Sequence, residues 1–279
     1  MDRREFVAAV AAGTAGIAGA AGAACATGRA AKPALDRIGV QLYTVRTEMA
    51  KSVERTLERV AAIGYREVEF AGYFDRSPAQ IRTALDAVGL QAPAAHVPWD
   101  AVEQGWDAVL DVATRTGHEI VIVAWLPPER RRTLDDYRRW ANAFNTAADA
   151  AKAAGLRFAY HNHDFEFVPI DGRLPYDVLL EGTDPALVQL ELDLFWITKA
   201  GQDPQRYLGR WPGRFPLVHV KDMDAAGRMV AVGAGQIDFG AIFKSAKGNI
   251  QHYFVEHDEP ADPFASIQTS YTYLRKLQV

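Results

Sequence analysis

Four times between residues 53 and 161 this chain repeats one pattern: a run of helical period, a glycine, then a short apolar run. It occurs at Val53–Ile63/Gly64/Tyr65–Phe70, Ile81–Val88/Gly89/Leu90–His96, Trp106–Thr116/Gly117/His118–Ala124 and Trp140–Ala154/Gly155/Leu156–His161. Each glycine stands where a helix needs a left-handed terminating residue, and the pattern after it changes from helical period to strand. Helix starts agree with the stops. Ser77-Pro78 supplies a cap and a first-turn proline ahead of Ile81, Leu85 and Val88, and Thr133 precedes Asp135 and Asp136 at the head of a long helix. Strand-like runs at Leu187–Asp193, Phe215–Val220 and Gln251–Glu256, with Ile38–Tyr43 at the start, bring the strands to eight. Eight alternating strands and helices predict an α/β chain closed as a (β/α)8 TIM barrel rather than an open, doubly wound sheet. A dinucleotide-binding sheet is further disfavoured because no Gly-x-Gly-x-x-Gly lies between the first strand and helix.

The first 30 residues have a different character. Arg3 and Arg4 precede Glu5 and Phe6, and Val7 to Ala26 is built almost wholly of Ala, Gly and Val without charge. This is the pattern of a twin-arginine export signal, so residues 1–30 are expected to be a cleaved leader and residues 31–279 a single catalytic domain, exported to the periplasm or beyond. A membrane anchor is the alternative, but the stretch is weakly hydrophobic and no stable anchor is expected after cleavage. The one cysteine, Cys25, falls inside the leader, where lipid attachment is the lesser alternative; the mature chain then offers no thiol to chemistry. Cleavage would remove Arg3, Arg4 and Arg29 against Asp2 and Glu5, three basic residues for two acidic, and take the net charge from −4 to −5. Nucleic-acid binding is disfavoured by that sign. The oligomeric state is not legible from the sequence.

Catalytic groups of such barrels sit at the carboxyl ends of the strands, and the polar residues fall there. Gln41 and Tyr43 end the first strand, Glu69 the second and His96 the third, and Trp125 follows the fourth. The last four strands close with Phe158–His163 followed by Glu166, Val188–Asp193, Leu217–Asp222 and Tyr253–Asp258. Asp193, His219 and Glu256 are the strongest candidate metal ligands, because each ends a buried-type strand where an unpaired charge is costly. A donor set of oxygen and nitrogen without sulfur suits Mn²⁺, Mg²⁺, Co²⁺ or Zn²⁺. Rim salt bridges are the bland alternative. His161 and His163 share one side of their strand, so one of them is a candidate general base or substrate ligand, with a structural imidazole as the alternative for each. Lys221 points to the same side as His219 and is a candidate to stabilise a developing oxyanion. Tyr43, Glu69, His96, Trp99, Trp125 and Trp196 are candidate sugar contacts, with plain rim polarity or packing under a loop as the alternative for each. The Gly233–Asp238 segment is expected to be a turn, its Gly-x-Gly being weak evidence for phosphate binding.

The fragments Tyr160-His-Asn-His-Asp-Phe-Glu-Phe167, Glu191-Leu-Asp-Leu-Phe-Trp196, His219-Val-Lys-Asp222, Gly233-Ala-Gly-Gln-Ile-Asp238 and Val255-Glu256 resemble those of the sugar phosphate isomerase/epimerase group, the xylose isomerase-like TIM barrels. The resemblance spans roughly residues 35–279 and is specific in the second half. It implies a divalent metal held by Glu, Asp, His and Glu from the last four strands, and proton transfer next to a sugar carbonyl. Asp193, His219 and Glu256 match the second, third and fourth ligands. Where that group usually has a strand-five glutamate, this chain has His161, Asn162 and His163, with Glu166 three residues on. Glu166, reaching back from the loop, is taken as the first ligand, with His161 or His163 as the alternative.

The expected activity is metal-dependent isomerisation or epimerisation of a free carbohydrate through an enediolate, with Glu256 and either Glu166 or a histidine moving the proton. Export argues against a phosphorylated substrate. A metal-dependent lyase or hydratase on keto-sugars or 3-keto-glycosides begins with the same proton abstraction and is the principal rival. A non-catalytic sugar-binding barrel and an abasic-site nuclease fit less well, the first because the ligand clusters are intact, the second because of the negative charge.

Overall fold

The computed structural model describes residue 35 and residues 37–278. The expected export signal and Cys25 lie outside the described residues. Eight parallel strands close into a barrel: β1 (Ile38–Gln41), β2 (Glu67–Phe70), β3 (Gln91–Val97), β4 (Ile120–Val123), β5 (Arg157–His161), β6 (Val188–Asp193), β7 (Leu217–Val220) and β10 (His252–Val255). Ring closure comes from pairing of β1 with β10 on one side and with β2 on the other. Two further short strands, β8 (Asp222–Met223) and β9 (Met229–Val230), form an antiparallel hairpin in the loop that follows β7.

The repeated glycines end helices as their positions predict. Helices Val53–Ile63, Pro78–Val88 and Trp106–Thr116 stop at Gly64, Gly89 and Gly117, all with positive φ, and Gly155 with φ 80° follows the helix Leu134–Ala153. Ser77 and Thr133 each make a reciprocal capping box, with Gln80 and Asp136 respectively. The apolar faces of these helices pack on the outward residues of the strands, so the main core is a cylindrical layer between barrel and helices.

Inside the barrel the strand period of two stacks residues in layers. On four strands the residue two positions before a polar site residue is apolar: Ala94 before His96, Ala159 before His161, Leu217 before His219 and Phe254 before Glu256. These four join Ile120 and Ile122 in a separate buried cluster that fills the barrel below the site. Gly39 makes room for that floor, because a Cβ there would meet the Phe254 ring at 2.5 Å.

Candidate active site

Above the apolar floor lie two sets of ionisable side chains that share His219. The lower set is Glu69, His96, Glu191 and His219; the upper set is His161, Asp193, His219 and Glu256. Within each set the four donor atoms lie within 4.8 Å of one another. Seven strand ends, six placing one side chain inward and β6 placing two, bring these residues and Gln41 together from segments more than 200 residues apart in the chain, which only barrel closure allows.

Local structure fixes the donor atoms. Asp193 ends β6 and caps the next helix, Leu194–Lys199: its Oδ1 accepts from the backbone N–H groups of Phe195 and Trp196 at 2.9 and 2.8 Å. Its Oδ2 is thereby left facing the site, 3.2 Å from His161 Nε2 and 3.1 Å from Lys221 Nζ. The Asn162 side chain holds the same residue by accepting from the Asp193 N–H. His161 Nδ1 lies 3.1 Å from the Ala124 carbonyl, an acceptor only, so the proton of the neutral ring sits on Nδ1. Burial, with the charge of His219 added, pushes the His161 pKa down to about 4, and the ring is neutral near pH 7. Its unprotonated Nε2 then faces Asp193 Oδ2, whose charge Lys221 shares.

His219 is clamped from below. Its Nε2 is 2.8 Å from Glu69 Oε1 and 3.2 Å from Glu191 Oε2, while Nδ1 points up to Glu256 Oε2 at 2.8 Å and Asp193 Oδ2 at 3.7 Å. His219 Nδ1 completes no aligned hydrogen bond despite that approach, and Glu256 Oε2 is shared with Lys221 Nζ at 2.7 Å. Donor atoms drawn this close without a hydrogen bond between them are what a shared third atom would leave. Burial opposes charge on His219, yet the carboxylates of Glu191, Glu256 and Glu69 outweigh it and hold its pKa well above the ordinary value. The position calls for positive charge, whether a proton or a metal ion supplies it. The donor set of two imidazoles and two carboxylates fits a first-row divalent ion, and the orphaned buried atoms fit it as well.

Lys221 Nζ lies 3.1, 2.7 and 2.9 Å from Asp193, Glu256 and Asp258. Burial works against its charge, but these three carboxylates keep it protonated well above its usual range. In return, and again against burial, Lys221 and His219 hold Glu256 ionised. A cavity of about 750 Å³ opens above, walled by Tyr43, His96, Trp125, His161, His163, Trp196, Lys221, Glu256 and Asp258 among others.

A family model described as xylose isomerase-like TIM barrel matches residues 57–277. The chain belongs to the xylose isomerase-like TIM barrel family. A sugar phosphate isomerase/epimerase structure from Parabacteroides distasonis is 28% identical, with a TM-score of 0.77 over 86% of this chain and 98% of that one. Inosose dehydratase from Clostridium beijerinckii is 22% identical over 248 residues, 75% of this chain and 83% of the relative. A structure of the IOLI protein with a zinc atom bound superposes at a TM-score of 0.68 with 17% identity, covering 85% and 95% of the two chains; at that identity the likeness is one of fold.

Within this family member, the sequence-predicted residues part company at strand five. Glu166 does not join the upper set. Its carboxylate accepts from the Tyr160 hydroxyl and, at 2.8 Å, from the His163 N–H, which turns it into the loop beneath Tyr160. His161, the alternative ligand, stands in the upper set instead. Burial raises the Glu166 pKa to about 7, against the hydrogen bonds from Tyr160 and His163 that lower it. A raised folded-state pKa means this group favours folding fully below about pH 4.5, and the contribution is lost as pH rises through about 7. We expect Glu166→Gln to bind metal as the parent does and to lose less thermal stability between pH 5 and 8; calorimetric melts across that range, with metal analysis, check it.

His163 lines the cavity with a buried, unpartnered Nδ1, its ring against Phe165 and Trp196. Burial, then His161 and Lys221, keep it neutral. Tyr43, His96, Trp125 and Trp196 also line the cavity. Glu69 does not; it is fully buried in the lower set. Trp99 is not on the cavity wall either, and packs edge-on against Trp140 at 5.9 Å. The Gly233–Asp238 turn wraps a carboxylate of the protein's own: Asp222 accepts from the N–H groups of Met223, Gly233, Gly235 and Ile237 at 2.8 to 3.1 Å. Glu191 is a member of the lower set that the sequence pattern does not single out, although its spacing of two from Asp193 puts both on one strand face.

Proposed function

We propose that this chain is a divalent-metal-dependent enzyme that removes the proton beside a carbohydrate carbonyl and expels a β-substituent, a lyase on keto-sugars or keto-glycosides. The observation that carries the metal is the convergence of four donor atoms, from His161, Asp193, His219 and Glu256, within 4.8 Å of one another, the unprotonated Nε2 of His161 among them. His161, Asp193, His219 and Glu256 would hold the ion. Bound there, it supplies Lewis acidity that polarises the carbonyl and acidifies the neighbouring C–H bond.

The remaining work falls to this chain's own groups. His163, neutral and on the cavity wall, can take a proton; Lys221, held protonated by three carboxylates, can stabilise negative charge on oxygen or return a proton to a departing group. One base and one acid suffice for elimination. Epimerisation needs a proton-transfer group on each face of the carbon, and the withdrawal of Glu166 beneath Tyr160 takes away the carboxylate expected to provide the second. The curated relatives named inosose dehydratase support elimination. Isomerisation or epimerisation is the second reading, supported by the 28% identical isomerase/epimerase structure and by His163 and Lys221 acting as a swapping pair. The twin-arginine start supports an exported protein with a non-phosphorylated substrate.

Incubation of Mn²⁺-loaded protein with keto-sugars and keto-glycosides in deuterated water separates these readings. We expect release of water or aglycone, and no turnover after chelation. Deuterium at the carbon beside the carbonyl, with the mass otherwise conserved, would replace lyase by isomerase.

A further inference from the structure

We propose that the lower set, Glu69, His96, Glu191 and His219, is a second divalent metal site, joined to the first through the His219 ring. The proposal deepens the metal reading of the upper set and rests on it only through that shared ring.

The four donor atoms form a closed ring in which nitrogen and oxygen alternate. His96 Nε2 is 2.9 Å from Glu69 Oε1 and 3.1 Å from Glu191 Oε2; His219 Nε2 is 2.8 and 3.2 Å from the same two oxygens. Neighbouring donors of a four-coordinate ion with bonds of about 2.0 to 2.1 Å stand roughly 2.9 to 3.4 Å apart, so the ring matches with little movement. Two ring N–H groups can serve only two of those four edges, as hydrogen bonds from His96 to Glu191 and from His219 to Glu69. A cation at the centre serves all four.

Partner counting points the same way. Glu69 and Glu191 are fully buried, and among the described residues neither has a lysine or arginine ion pair. Glu69 Oε2 and Glu191 Oε1 are also buried without a hydrogen-bond partner. Besides imidazoles the two buried carboxylates meet only the Gln41 amide, which donates to Glu69 Oε1, so the charge that balances them comes from the histidines or from a bound cation. With both sites filled, His219 would bridge through Nδ1 and Nε2, and binding at the lower set releases its Nε2 proton to solvent. His96 would bind as the Nδ1–H tautomer. Of the lower set only His96 reaches the cavity wall, and Glu69, Glu191 and His219 are fully buried, so this ion would lie out of a substrate's reach and set charge and rigidity beneath the reacting one.

The test is metal stoichiometry on the purified chain loaded with Mn²⁺ alone and freed of excess by gel filtration. We expect two ions per chain in the parent, one in Glu191→Gln and one in Asp193→Asn. One ion per chain in the parent, retained in Glu191→Gln and lost in Asp193→Asn, overturns the second site and leaves the proposed function standing. No ion in the parent overturns both. Should Glu191→Gln fail to fold by circular dichroism, the parent's electron paramagnetic resonance decides. Two Mn²⁺ across one imidazole give an exchange-coupled spectrum, and the six-line pattern of isolated ions at full loading overturns the proposal.

Discussion

Asp193→Asn is expected to keep the helix cap that follows β6 and to lower kcat/KM at least ~100-fold. The two halves of that result come from the two oxygens of one carboxylate. Oδ1 caps the helix Leu194–Lys199, and asparagine is about as good a cap as aspartate, so the cap survives, and the stability that goes with the charge is the share of Lys221 pairing not kept by Glu256 and Asp258. Oδ2 faces His161, Lys221 and His219, where an amide supplies no negative charge to an ion; changes to groups merely supporting a ligand cost 10- to 100-fold, and a ligand costs more. Asp193→Ala should lose the same activity and about 1 kcal/mol of stability in addition through the cap. Steady-state rates with one keto-sugar substrate, set beside calorimetric melts of both variants, separate the roles. Equal activity in Asp193→Asn and the parent would remove Asp193 from the chemistry.

Asp222→Ala is expected to be the most destabilising single change near the site. Four backbone N–H groups converge on that buried carboxylate, and alanine leaves them without acceptors at a combined cost of about 3 to 5 kcal/mol after the loop relaxes, or a fall of roughly 10 °C in Tm. Gly235→Ala should approach the same result from the other partner, since a Cβ there would collide with Asp222 Oδ1 and the Met223 carbonyl. Both variants should also raise KM, because the hairpin this carboxylate anchors carries Gly227, Arg228 and Met229 to the cavity wall. Thermal melts and substrate titrations check the pair; a Tm within 2 °C of the parent would mean the cradle contributes little.

The barrel is legible in the sequence because its stops and starts are local. A glycine after a helix, a serine before a proline and a threonine three residues ahead of an aspartate act within a few residues, and Gly64, Gly89, Gly117, Ser77 and Thr133 each do what their positions predict. The strand ends that carry Asp193, His219 and Glu256 were legible for the same reason. Strand five was not. Whether His161 or Glu166 faces the barrel mouth depends on a short turn at Phe165–Phe167 and on Tyr160, which draws the carboxylate away. Nothing within the local sequence says that a tyrosine six residues back will win it. Glu191 carried a usable signal in its spacing from Asp193, but one layer down a strand the ordinary occupant is apolar, as Ala159 and Leu217 are on the neighbouring strands. The β8–β9 hairpin is too short to show a period at all, and the glycines of the Gly233–Asp238 turn become a cradle only once Asp222 stands among them.

The apolar plug of Ala94, Ile120, Ile122, Ala159, Leu217 and Phe254 makes the pocket a blind well. Entry and exit share one doorway, so whatever descends must leave by the way it came, past a lip where Tyr43 and Trp125 stand exposed.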